Sequence, residues 1–373
     1  MSQIIAFFEM ATAESVKYTM KRVLVLPLYG IGDVLMSTPA VRNLKEQLNV
    51  EITYLHMFKT TRDILLSNPC IKENIHFPFL QAGKLDILRF MLRFRKKYDI
   101  AINFYPSNRR DYNLASFVTA SPLRIGHRYV RRDWQELNFL KNRTVKEDDS
   151  LHNVEEDLRL LDFCGIREKK KYAMEIHLTE EEKRFARQWL KERKIERKFL
   201  IGMHPGTSTF KNHGMKRWSE ASFADLIGRI CLERSESVVL LFGGPEEQSL
   251  RQTIISSVRV REKIFPVDSL PIRLAAAVMG ECGLFVSNDS GPMHMAAASG
   301  VPTVAIFGPT NPVWLRPWGV KHRVVREDSA CRPCFRYSPR PMECIEKRDY
   351  ACIRGISVEQ VFAACKELMK DQN

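Results

Sequence analysis

Leu284-Phe285-Val286-Ser287-Asn288-Asp289-Ser290-Gly291-Pro292-Met293-His294-Met295-Ala296-Ala297-Ala298 holds the clearest structural signal in this chain. Leu284 to Ser287 is a short apolar run and reads as a buried strand. It ends in a polar turn of small residues, and a helix with an alanine face follows over Met293 to Ser299. Gly300-Val301-Pro302 then leads into a second strand, Thr303 to Phe307, closed by Gly308-Pro309-Thr310. Moving upstream, Leu274 to Met279 is helical, Val238 to Phe242 is a strand, and Gly243-Gly244-Pro245 turns into a helix from Glu246. Phe199 to Met203 is a strand, followed by a loop and a helix from Glu220 to Glu233. Strands alternating with helices predict a parallel sheet covered on both faces.

The N-terminal half shows the same alternation. Strands are predicted at Val23–Pro27, Glu51–Leu55 and Ile100–Phe104, with helices over Val34–Leu48, Thr60–Ser67, Leu85–Lys97 and Asn108–Thr119. Lys146 to Gly165 becomes helical and stops at Gly165, before a charged stretch from Arg167 to Lys171. The boundary is placed there, giving domains 1–172 and 173–373. No short period repeats, which excludes a solenoid. Ligands of open parallel sheets lie beyond the carboxyl ends of the strands, so two such domains should share a cleft.

A chain of 373 residues has room for two domains at about 150 residues each, and each could bury a full core. Its composition, 45% hydrophobic and 27% charged, excludes wholesale disorder. The longest uncharged stretch, Ser290 to Leu315, is broken by Pro292, Gly300, Pro302, Gly308 and Pro309, so it is not a spanning helix. Glu9 and Glu14 interrupt the first twenty residues, and the apolar run Ile4–Phe8 is too short for a signal-peptide core. A cytoplasmic protein is expected. The net charge is +14, and between Gln81 and Lys146 there are 15 Lys/Arg against 5 Asp/Glu, a surplus of +10. Such a surface attracts phosphates, nucleic acid or an anionic membrane. For any single arginine, a solvated side chain is the simpler reading.

The first strand runs into Gly30-Ile31-Gly32-Asp33. A dinucleotide fingerprint needs a small residue where Leu35 stands and an acidic residue at the end of the next strand, where Glu51 instead begins it. The glycines are therefore read as a turn that presents Asp33 at the cleft. A helix-start Asp can equally serve as an N-terminal stabiliser. In the second domain, His204-Pro205-Gly206-Thr207-Ser208 followed by Lys216-Arg217-Trp218 suits anionic oxygens, with Lys216 as a mobile positive charge and Trp218 as a core anchor. Glu246 or Glu247, after Gly243-Gly244, could accept hydrogen bonds from ribose hydroxyls or complement a helix dipole. Ser290 and Gly291 allow a phosphate to approach the helix start, with His294 beside it.

Together, Gly32-Asp33-Val34-Leu35-Met36-Ser37-Thr38-Pro39-Ala40, Lys216-Arg217-Trp218, Asn288-Asp289-Ser290-Gly291-Pro292-Met293-His294 and Phe307-Gly308-Pro309-Thr310 resemble glycosyltransferase family 9, the ADP-heptose lipopolysaccharide heptosyltransferases. The resemblance spans Lys21 to the C-terminus; the first nineteen residues have no counterpart in it. It implies a GT-B fold: two Rossmann-like, doubly wound α/β domains facing an interdomain cleft. The N-terminal domain would bind the acceptor and the C-terminal domain the sugar nucleotide. It implies Asp33 as the catalytic base and Lys216 as the phosphate-binding lysine. Donor contacts would come from Thr207, Ser208, Glu246 or Glu247, Asp289, Ser290, Gly291 and His294. The implied reaction is an inverting transfer of heptose from ADP-heptose to the lipopolysaccharide inner core, as Kdo-lipid A or heptosylated core. ADP as the donor nucleotide is implied by the family alone.

The basic half fits an acidic acceptor at the inner face of the inner membrane, with peripheral membrane contact, and Arg62, Arg109, Arg128 and Arg131 are candidate acceptor contacts. No cofactor is expected for catalysis. Four of the nine cysteines cluster as Cys331-x2-Cys334-x9-Cys344-x7-Cys352. In a cytosolic chain they are reduced thiols, with a structural zinc or a local disulfide as the alternatives, although the second pair is spaced widely for a zinc ribbon. Two other functions compete: a GT-B sugar-nucleotide enzyme with a different donor, and a basic nucleic-acid-binding protein. The second lacks aromatic-basic interleaving and any known motif, and nucleic acid is not expected as a partner.

Overall fold

The structure is a computed structural model that describes residues 20–129, 136–327, 331, 333–335, 337 and 341–370. Arg131 lies outside these residues. The first sheet contains β1 (Lys21–Val25), β2 (Val50–His56), β3 (Glu73–His76), β4 (Ile100–Ile102), β5 (Leu123–Arg128) and β6 (Arg143–Lys146), in the order β3-β2-β1-β4-β5-β6. The second contains β7 (Phe199–His204), β8 (Ser237–Phe242), β9 (Ile264–Val267), β10 (Leu284–Asn288), β11 (Thr303–Phe307) and β12 (His322–Arg326), in the order β12-β11-β10-β7-β8-β9. Every pairing is parallel. Counted from its own first strand, each sheet has the same dinucleotide-fold order. The strand order reverses between β1 and β4 and again between β7 and β10, and those crevices are where ligands of such sheets bind.

The central strands are the ones the apolar runs predict, and β8 and β10 are buried along their whole length. Five strands were not predicted: β3, β5, β6, β9 and β12. Apart from β5, these are the outer strands of the two sheets. Arg143-Thr144-Val145-Lys146 and His322-Arg323-Val324-Val325-Arg326 carry charges because one side of an edge strand meets water, so no continuous apolar run marks them.

The expected helix Val34–Leu48 is two helices, Ile31–Met36 and Thr38–Gln47. Pro39 has no N–H to donate into the first helix, and the Ser37 hydroxyl donates back to the Val34 carbonyl at 2.7 Å. The charged run 180–192 forms a helix that was not predicted, although Thr179-x-x-Glu182 is a capping box and the Thr179 hydroxyl accepts from the Glu182 N–H at 3.3 Å. The C-terminal helix Val358–Lys370 was also missed; it packs on β10, β11 and β12.

The segment that joins the sheets ties both domains to one arginine. Arg273, on helix Ile272–Gly280, donates to both Glu182 oxygens (2.5 and 2.7 Å), to the His177 carbonyl (2.7 Å) and, in the first domain, to the Leu66 carbonyl (2.7 Å). Arg273→Ala should therefore cost about 3 kcal/mol, because Glu182 loses its fork and three carbonyls, those of His177, Leu66 and Asp63, lose their donor. The expected result is a lower denaturant midpoint, with Arg273→Lys restoring only part of it, since an ammonium cannot make the fork.

Candidate active site at the interdomain cleft

The carboxyl ends of the two sheets face each other across a cleft of about 1210 Å³. A second cavity of about 440 Å³ adjoins it and shares Tyr29, Asp33, Phe210 and Tyr337. Asp33 lies in the first turn of helix Ile31–Met36, where its Oδ2 accepts from the Gly30 N–H at 2.9 Å. The stabilising role of a helix-start Asp is thus present, and the same carboxyl lines both cavities. Burial pushes its pKa up to about 6; Asp289 adds to the rise, while the Gly30 hydrogen bond and the Lys216 charge oppose it. Asp33 is therefore poised to ionise near neutrality.

Gly32 shows why this turn needs glycine. A Cβ there would come within 2.6 Å of His294 Cδ2. Helix Ile31–Met36 packs directly on helix Gly291–Ala298 across the domain boundary, and the missing side chain permits that approach. Gly32 thus lets one domain close on the other.

Across the cleft, Lys216 Nζ pairs with Asp289 Oδ2 at 2.7 Å, and both side chains are buried. Burial alone would raise the Asp289 pKa, but Lys216 outweighs it and holds the carboxyl below its usual range. His294 is buried, its Nδ1 has no partner among the described residues, and burial lowers its pKa to about 4, with Lys216 adding to the fall. It is neutral at pH 7, with one polar ring atom unspent beside the Lys216–Asp289 pair.

The two glutamates separate clearly. Glu247 is buried, accepts from the Gly244 N–H at 3.0 Å and bonds His204 Nε2 at 3.0 Å. It tucks under Gly206, where a Cβ would sit 1.6 Å from its Oε1. Glu246 is exposed on the cleft wall and is the one available to a ligand. The Thr207 hydroxyl donates to the His213 carbonyl at 2.9 Å, and Ser208 is exposed on the same wall. Trp218 is the expected core anchor: it is 2% exposed and donates its indole N–H to the Ile356 carbonyl.

Two organising side chains had no role in the sequence reading. His204 bridges Glu247 to the Ser290 hydroxyl, which lies 3.2 Å from His204 Nδ1, and so joins the loops after β7, β8 and β10. Asn288 accepts from the Trp218 N–H at 3.0 Å and donates to the Pro205 carbonyl at 2.7 Å. Both close apolar strands, and a polar residue ending a buried strand was the available signal.

Of the basic residues, Arg62 lines the main cleft but pairs with Asp63 at 2.6 Å, and Arg109 lines the second cavity. Arg128 is exposed at the end of β5 and lines neither cavity. The four clustered cysteines line a third cavity of about 270 Å³, which adjoins the second through Cys334. Among the described residues, no group of three or more His, Cys, Asp or Glu is placed to hold a metal ion.

Two dinucleotide-type domains meeting at a cleft, with Asp33 on one wall and the buried Lys216–Asp289 pair on the other, form the GT-B architecture, here that of a glycosyltransferase. Comparison with known proteins agrees. The model of "Glycosyltransferase family 9 (heptosyltransferase)" matches residues 87–345. Lipooligosaccharide heptosyltransferase 2 of Campylobacter jejuni is 27% identical over 369 residues, covering 95% of this chain and 100% of the relative. Lipopolysaccharide heptosyltransferase 2 of Escherichia coli K12 is 26% identical over 318 residues, covering 82% and 88%. The crystal structure of the family 9 glycosyl transferase from Veillonella parvula superposes with a TM-score of 0.78 at 23% identity, covering 96% of this chain and 99% of that one. That of E. coli ADP-heptose lps heptosyltransferase II gives 0.72 at 20% identity, covering 94% and 99%. The chain belongs to glycosyltransferase family 9.

Proposed function

We propose that this enzyme transfers a heptose from ADP-heptose, with inversion, to a hydroxyl of the lipopolysaccharide inner core. The observation that carries the reading is the opposition of Asp33, with its pKa near 6, to the buried Lys216–Asp289 pair across one cleft. The acceptor oxygen attacks the anomeric carbon and passes its proton to the Asp33 carboxylate. The bond from that carbon to the diphosphate oxygen breaks, and the electron pair leaves with ADP. Lys216 and the N–H groups at the start of helix Gly291–Ala298 meet the charge on the departing diphosphate. Glu246, exposed on the cleft wall, accepts from the ribose hydroxyls in this reading, while His204 and Glu247 hold the loops. Arg109, in the second cavity beside Asp33, is the arginine best placed for an acidic acceptor.

ADP as the nucleotide is supported by solved E. coli heptosyltransferases carrying ADP or an ADP-heptose analogue. A thermal-shift series of ADP-, UDP- and GDP-sugars should show stabilisation by ADP-heptose, and mass spectrometry should show one heptose added to the core acceptor. Stabilisation by a UDP- or GDP-sugar alone would establish the rival donor. We place the enzyme in the cytoplasm, working at the inner face of the inner membrane. No helix among the described residues is long and apolar enough to cross a membrane.

We further propose that catalysis needs no metal, since Lys216 and the backbone amides supply the positive charge, and that a zinc ion braces Cys331, Cys334, Cys344 and Cys352. Support for the zinc is the shared cavity of four soft thiol donors. The side chains as they stand would have to draw together to close on the ion. Metal analysis should find one zinc per chain. Chelation should lower the melting temperature yet leave the initial rate at low temperature unchanged. A metal-free chain with the same melting temperature would remove the zinc.

A further inference from the structure

Helix Lys84–Leu92 is apolar on two sides. Its inner side, Phe90 and Met91 with Ile87 alongside, packs with Leu24, Leu26 and Leu55 in a small core of its own. Its outer side presents Leu85, Leu88 and Leu92, which are 68%, 43% and 44% exposed. Their i, i+3, i+7 spacing places them in one stripe along the helix. Helix Arg110–Val118 packs beside it and adds Leu114 and Phe117, 43% and 50% exposed. Single exposed leucines are ordinary in soluble proteins, but five large apolar side chains on two adjoining helices are not.

Charge surrounds this stripe. Between Lys84 and Lys97 the chain carries six Lys/Arg, all exposed, and a single carboxylate before Tyr98, Asp86. Arg89 and Arg93 flank the leucines on one side and Lys84 on the other, by helical spacing. Leucines ringed by cations form the surface of an interfacial membrane helix. A symmetric dimer through the same face would set the cations of one copy against their duplicates, which is unfavourable.

We propose that this face docks on an anionic lipid bilayer, with the leucines entering the headgroup boundary and Lys84, Arg89 and Arg93 meeting lipid phosphates. Its position relative to the cleft deepens the proposed transfer and rests on it. Helix Arg110–Val118 follows Arg109, which lines the second cavity together with Asp33, and carries Phe117 at its far end. At 1.5 Å per residue the helix is about 13 Å long, so a docked bilayer would lie within reach of a lipid-anchored sugar at Asp33.

The test is co-sedimentation of the full chain with phosphatidylglycerol/phosphatidylethanolamine vesicles and with phosphatidylcholine vesicles at 0.1 M salt. Binding is expected to the anionic vesicles only. Leu85→Ser/Leu88→Ser/Leu92→Ser and, separately, Arg89→Glu/Arg93→Glu should each lower partitioning by about tenfold or more. Both should keep the wild-type rate on a deacylated core oligosaccharide. The charge-reversal pair alters only exposed side chains, so it decides the matter if the triple variant folds poorly. Equal vesicle binding by that pair, or equal binding of the wild type to neutral vesicles, overturns the proposal. So does a wild-type dimer that the leucine variant dissociates, which would give the face to a second copy. Vesicle binding without heptose transfer would sink the transfer reading and leave the docking intact.

Discussion

Asp33→Asn is expected to bind ADP-heptose as the wild type does and to turn over about 10²–10⁴-fold more slowly. The amide can still accept the Gly30 N–H, so the helix start survives, but it cannot take a proton from the acceptor. Calorimetric titration of ADP and a single-turnover assay separate the two properties. In the wild type, the rate should fall about tenfold per unit below pH 6, because burial raises the Asp33 pKa to about 6 and only the carboxylate is a base. The Asn variant should lose that limb. Stability should move the other way. A carboxyl whose pKa is raised on folding favours the fold while protonated, below its ordinary value of about 4, and that contribution is lost as pH rises through 6. At pH 7.5 the ionised Asp33 therefore weighs against the folded state. The Asn variant should melt at or above the wild-type temperature, with the difference shrinking below pH 4. A folded Asp33→Asn enzyme with near-normal turnover would reduce Asp33 to its capping role.

Lys216→Ala should damage binding, rate and stability together. The ammonium faces charge that is present on the diphosphate before reaction and grows during it, so ADP affinity should fall and transfer should slow by about 10²–10³-fold. The deletion also strands Asp289, 3% exposed, without its cation. Breaking such a buried pair costs about 3–5 kcal/mol, and a lower melting temperature is expected. Adding Asp289→Asn should return much of the stability, because the uncompensated charge is gone, and none of the rate. Unchanged ADP affinity in Lys216→Ala would remove the lysine from the donor site.

What the sequence by itself determined is the part of the structure whose physics is local. Buried central strands must be apolar, so Val23–Pro27 and Ile100–Phe104 in the first half and Phe199–Met203 and Val238–Phe242 in the second stood out and carried the two-domain parallel architecture with them. Tight strand-to-helix turns demand small and polar residues, so the loops holding Asp33, Lys216 and Asp289 could also be picked out.

Tertiary structure decided everything that depends on contact between distant segments. Neighbouring Glu246 and Glu247 are indistinguishable in a sequence, and only the space under Gly206 and the approach of His204 bury one and expose the other. Gly32 looked like a turn glycine until the helix bearing His294 was placed against it. The Asp33 pKa is set by burial between two domains and by Asp289, 256 positions along the chain (289 − 33). The charge surplus between Gln81 and Lys146 was countable, but its division was not: Arg109 sits by the cleft, Arg128 lies away from it, and Arg89 and Arg93 edge an apolar stripe. Desolvation, charge coupling and exposure depend on distances in space, and folding alone sets those distances.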